Sequence, residues 1–111
     1  MTALVLDRRQ ILLGGVAAAL AASTRARAHN GTVHVTIENL AFVPAEIEVK
    51  VGNTIEWVNK DPIAHTATVN GGWEVMIPPG ATATRVVAAG DGVEYFCRFH
   101  PNMTGRIVVR A

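Results

Sequence analysis

Glu46-Ile47-Glu48-Val49-Lys50-Val51-Gly52-Asn53-Thr54-Ile55-Glu56-Trp57 sets polar against apolar side chains at every second position, twice, with Gly52-Asn53 between the two runs. Successive side chains of a strand point to opposite faces, so a period of two marks half-buried strands; a helix would repeat its apolar positions every three to four residues. Upstream, Val33, Val35 and Ile37 alternate in the same way with Thr32, His34, Thr36 and Glu38. Further strands are expected near His65 to Val69, Thr82 to Ala89, Val93 to Cys97 and Gly105 to Arg110. Turn residues fall between these runs at Pro44, Asp61-Pro62, Asn70-Gly71-Gly72, Pro78-Pro79-Gly80 and Gly90-Asp91-Gly92. About seven to eight short strands with no helical pattern predict an all-β domain, a sandwich or a closed barrel.

The N-terminal segment reads differently. Arg8 and Arg9 precede a stretch of 12 apolar or small residues, Ile11 to Ala22, which leads to Ala26-Arg27-Ala28. Basic region, apolar region and small-residue cleavage site make up an export signal, expected to span residues 1–28 and to be cleaved. A membrane-crossing helix needs about 20 apolar residues, so no stable membrane insertion is expected. Arg8-Arg9-Gln10-Ile11-Leu12 also resembles a twin-arginine signal, with Asp7 and Ile11 departing from its usual pattern. Either route leads out of a bacterial cytoplasm, and a periplasmic location is expected.

Cleavage after Ala28 leaves one domain, residues 29–111, of 83 residues. Removing Arg8, Arg9, Arg25, Arg27 and Asp7 from 10 basic and 9 acidic residues leaves 6 and 8, a net charge of −2 with His neutral. No basic patch remains for nucleic acid. Nor does a long apolar surface stretch remain, so a monomer is expected. Cys97 is the only cysteine, whereas small exported domains are usually stapled by cysteine pairs. Cys97 is therefore either a buried core thiol or a metal ligand, and a bound metal would also stabilise so short a chain.

Its neighbours favour the metal. In Tyr95-Phe96-Cys97-Arg98-Phe99-His100-Pro101-Asn102-Met103-Thr104-Gly105, cysteine, histidine and methionine stand at i, i+3 and i+6. On one tight turn they converge on a point. Thiolate, imidazole and thioether suit copper: soft sulfur favours Cu(I), imidazole tolerates Cu(II), and a weak axial Met completes a site with two His and one Cys. Zinc favours complete sets of Cys and His and has little use for Met. His65, just after Asp61-Pro62 and at the start of an expected strand, supplies the second histidine.

On these residues the chain resembles the cupredoxins, and within them the amicyanin- and plastocyanin-like group, whose shortest ligand loop is Cys-x-x-His-x-x-Met. The resemblance runs from Val33 to Val109 and includes residues 51–59 before the first ligand, Pro79-Gly80, and Gly105-Arg106-Ile107-Val108-Val109 at the end. It implies a Greek-key β-sandwich and one copper ion held by His65, Cys97, His100 and Met103, cycling between Cu(I) and Cu(II) to carry single electrons. It further implies that His100 lies nearest the surface, ringed by Phe99 and Pro101. Redox proteins such as a cytochrome, a dehydrogenase, a copper reductase or an oxidase would be the partners. Two departures stand out. The family often has Asn after the first histidine, where its side chain ties the two ligand loops together, and here Thr66 stands there; Arg98 and Phe99 replace a small hydroxyl residue and Pro.

Taken singly, these residues have plainer readings: Cys97 as a core thiol, Met103 as core filling, His65 and His100 as satisfied polar residues. Taken together they point to copper. A Cys-His nucleophile pair is the enzymatic competitor, but no residue marks itself as an orienting third member and Met103 would go unused, so no catalytic residue is assigned. With four protein ligands no position is open for a substrate, which favours electron transfer over catalysis. A carrier or storage protein that hands on copper itself would use the same ligands. After cleavage, the free amine and imidazole of His29 could chelate a second Cu(II), with His34 on the polar face of its strand as a further ligand; two solvated histidines near a frayed terminus are the simpler reading.

Overall fold

A computed structural model describes residues 26–27 and 31–110. Ten strands run through them: β1 (Ala26–Arg27), β2 (Thr32–Ile37), β3 (Phe42–Val43), β4 (Glu46–Lys50), β5 (Thr54–Asn59), β6 (His65–Thr68), β7 (Glu74–Ile77), β8 (Thr82–Val86), β9 (Glu94–Cys97) and β10 (His100–Arg110). They form two sheets, one ordered β1-β4-β10-β9-β6-β7 and the other β3-β2-β5-β8. The alternation leaves open a sandwich or a closed barrel; the two sheets make the all-β sandwich that the resemblance implies. Among the described residues there is no helix long and apolar enough to cross a membrane.

The alternation becomes the core. Val33, Val35 and Ile37 of β2, Ile47 and Val49 of β4, and Ile55 and Trp57 of β5 are buried together with Ile77, Tyr95 and Ile107. Each such side chain contributes about 1.5–3 kcal/mol by leaving water. The polar residues between them face outward; His34, for example, pairs with Glu56 on the neighbouring strand at 2.6 Å. At the centre, Tyr95 lies edge-on to Phe42 and Trp57, with ring centroids 4.7 and 5.8 Å away, and its hydroxyl accepts from Trp57 Nε1 at 3.2 Å. Burial pushes the Tyr95 hydroxyl up to about 12. A Cβ on Gly105 would stand 2.5 Å from Tyr95 Cζ, so only glycine lets β10 pass this ring.

Three strands escape the reading by alternation. β7 carries an exposed Met76 and a half-buried Val75, so its apolar residues do not alternate with polar ones. β3 closes a tight hairpin on β2, in which Glu38 and Ala41 exchange backbone hydrogen bonds of 3.0 and 3.2 Å. The two turn residues, Asn39 and Leu40, both have positive φ, 55° and 60°, and leucine gives no turn signal. β1 pairs in parallel with β4, Ala26 opposite Ile47. Those two residues fall inside the expected signal, whose remainder lies outside the described residues, as does His29.

Candidate metal centre

The site forms where β6, β9 and β10 meet. Cys97 ends β9 and His100 opens β10, paired with each other; the next pair along is Phe96 with Thr104. Pro101, Asn102 and Met103 thus have no partners on β9 and bulge from the hairpin. The expected strand at Gly105 is in fact longer, beginning at His100, because the ligand turn is a bulge within it. His65 begins β6, whose Thr68 pairs with Phe96. Two strands anchored in one sheet therefore deliver a histidine from one side and a cysteine-histidine turn from the other.

His65 and Cys97 are fully buried, Met103 is buried on β10, and His100 is half-buried. His65 Nδ1 lies 3.6 Å and His100 Nδ1 3.7 Å from Cys97 Sγ. The donor atoms of the three residues all lie within 4.8 Å of one another. Bonds of about 2.0–2.3 Å, the range of first-row ions to imidazole and thiolate, would span the 3.6 and 3.7 Å nitrogen–sulfur separations at an angle of roughly 110–120°. The three residues fit a single ion, with both rings presenting Nδ1 to it.

His65 is held from behind. Its Nε2 donates to Asp61 Oδ2 at 2.8 Å, which leaves the Nδ1 lone pair facing Cys97. The same carboxylate accepts from Asn39 N at 2.8 Å and Leu40 N at 3.0 Å. Burial pushes the Asp61 carboxyl up, but the donors Leu40, His65 and Asn39 outweigh it and hold the group below its ordinary range. Upstream, Asp61 N donates to Asn59 Oδ1, while Asn59 Nδ2 reaches the carbonyls of Ile63, Ile77 and Pro78 at 2.9–3.1 Å. In the sequence Asp61 stands only as a turn residue, and nothing there marks an orienting third member for a Cys-His pair. Asp61 stands in that position, and its spacing of four residues from His65 was the available signal. Cys97 Sγ, however, is fully buried and lies between two imidazoles.

A family model for the cupredoxin-like domain matches residues 10–109. The chain belongs to the cupredoxins. It is 32% identical over 85 residues to amicyanin of Paracoccus versutus, covering 69% of this chain and 64% of that protein. To amicyanin-alpha of Methylorubrum extorquens it is 29% identical over 86 residues, 71% of this chain and 72% of that one. The chain spans 64% and 66% of the two Paracoccus relatives it matches, slightly under two thirds of their length. Among solved structures, the reduced state of an amicyanin mutant is similar with a TM-score of 0.59 and 26% identity, over 74% of this chain and 85% of that one. A Cu(I) amicyanin mutant gives 0.62 and 25%, over 80% and 95%.

In this cupredoxin the two departures noted in the sequence meet. Thr66 N donates to Cys97 Sγ at 3.4 Å, and Thr66 Oγ1 accepts from Arg98 N at 2.8 Å. The threonine hydroxyl thus ties the two ligand segments where the family often uses Asn. Its own proton goes to Thr68 Oγ1 at 2.8 Å, which in turn donates to Glu74 Oε1 at 2.9 Å. Arg98 closes the ring with two hydrogen bonds to Glu74, 2.8 and 2.9 Å, and holds the Glu74 carboxyl below its ordinary range. Beyond the ring, the Arg98 guanidinium lies 4.8 Å from the centre of the exposed Phe99 ring.

Proposed function

We propose that this cupredoxin is a periplasmic one-electron carrier, exported with residues 1–28 as its signal, whose single copper is held by His65, Cys97, His100 and Met103. The observation that carries the reading is the convergence of two imidazole Nδ1 atoms on the Cys97 sulfur at 3.6 and 3.7 Å. When bound, copper supplies a reversible one-electron couple; four protein ligands leave it no open coordination position. His65 and Cys97, buried and tied to the sheet, hold their donor atoms still, so that little rearrangement accompanies a change of charge. Met103, buried on the bulge of β10, would offer the ion a weak thioether donor and so help to set the potential.

His100 is half-buried, with Phe99, Pro101 and Asn102 exposed around it. On this reading, electrons pass through its outer edge to a redox partner such as a cytochrome, a dehydrogenase, a copper reductase or an oxidase, in a small transient contact. The buried thiol supports a carrier rather than a nucleophilic enzyme. The test is to cycle the copper-loaded protein electrochemically in the presence of a Cu(I) chelator. An electron carrier keeps its metal through repeated reduction and oxidation. Loss of the ion on first reduction would favour a protein that delivers copper itself.

A further inference from the structure

Asp61 has a role that packing alone does not explain. Its carboxylate is 10% exposed and faces three donors: two backbone amides of the β2–β3 turn and the Nε2 of a histidine that is itself 0% exposed. Any hydrogen-bond acceptor would satisfy the imidazole. A carboxylate also places a full negative charge on the far side of the ring from Cys97 Sγ. With the Cys97 thiolate, that makes two negative charges at one buried site; a divalent ion neutralises them, whereas a monovalent ion leaves one uncompensated. Burial disfavours net charge, so the arrangement favours the oxidised form.

The turn amides explain how the carboxylate stays aimed. Leu40 holds φ at 60°, a left-handed conformation that costs a β-carbon residue free energy. The two amides that this turn presents bind Asp61, and Asn59 fixes the Asp61 backbone. The carboxylate is thus oriented before any metal arrives.

We propose that Asp61 is a positioning residue of the metal centre: its hydrogen bond from His65 Nε2 keeps Nδ1 directed at the ion, and its negative charge lowers the reduction potential. The proposal rests on the copper-carrier reading given above. It is tested by comparing copper-loaded wild type with Asp61→Asn, which keeps the shape and removes the charge. The expected result is a retained thiolate-to-copper band with the reduction potential shifted upward, towards Cu(I). A variant that keeps its band and has the wild-type potential would overturn the proposal. Should Asp61→Asn fail to fold, nitrogen-15 NMR of the reduced wild type decides. A slowly exchanging proton on His65 Nε2, shifted far downfield, is expected; a proton on Nδ1, or a freely exchanging Nε2 proton, would overturn it. A wild type with no such band would instead overturn the copper reading itself.

Discussion

The two histidines of the site are held in opposite ways. His65 is sealed in the sheet, its rear nitrogen fixed by Asp61 and its neighbour Thr66 gripping both Cys97 and Arg98. His100 sits on a bulge among exposed residues, with its Nδ1 3.7 Å from Cys97 Sγ. One imidazole is part of the scaffold; the other is the scaffold's opening. A centre built so would keep its geometry from the buried side and exchange electrons from the exposed side.

Removing each ring should expose this asymmetry most sharply. In His65→Gly, a buried cavity opens and Asp61 loses a donor, so the protein should be destabilised by about 2–5 kcal/mol and added imidazole should not restore the blue band. In His100→Gly, stability should change little and free imidazole should restore the colour. Denaturation curves together with titration of imidazole into the copper-loaded variants check both; equal rescue at the two positions would erase the distinction.

Thr66→Val sharpens the comparison at a smaller scale. It keeps the backbone donor to Cys97 but strips the hydroxyl that accepts from Arg98 N, and a polar group left without a partner costs about 1–3 kcal/mol. The melting temperature should fall and the copper spectrum should broaden, as the cysteine turn loses its tie to the His65 strand. An unchanged spectrum would show the ring through Thr68, Glu74 and Arg98 to be irrelevant to the site.

The smallest effect should come from the scaffold away from the ligands. The Asp91 side chain is 6% exposed and accepts from Arg85 at 3.0 and 3.2 Å and from Ala88 N at 3.0 Å. Burial pushes its carboxyl up, but these donors hold it below the ordinary range. Its stabilisation is therefore present in full above the unfolded value of about 3.9 and is lost as pH falls through the lower folded value. Asp91→Asn should cost about 1–2 kcal/mol at neutral pH and flatten the acid limb of a stability profile. The spectrum at neutral pH should not move.

The difference between the two halves also governs what the sequence makes legible. The Cys97–Met103 turn is local, so its ligand types and spacing stand in one line of text. β2, β4 and β5 are legible because alternation is local too. Asp61, four residues before His65, leaves a faint local signal, but Asn59 and Glu74 reach across 19 and 24 residues, and no spacing rule joins those before the chain is folded. The β3 hairpin was hidden for the same reason: Leu40 is a poor turn residue, and the carboxylate that steadies its turn lies 21 positions away. Thr66, which reads as a departure from the family pattern, does the work of a loop tie with a hydroxyl in place of an amide.

The most direct measurement is the visible and electron paramagnetic resonance spectrum of the protein from His29 onward, loaded with one equivalent of Cu(II). Two Nδ1 atoms converging on the Cys97 sulfur predict an intense thiolate-to-copper band with small copper hyperfine splitting, and Cys97→Ser should abolish both. A pale solution with ordinary splitting would contradict the account, placing copper away from Cys97.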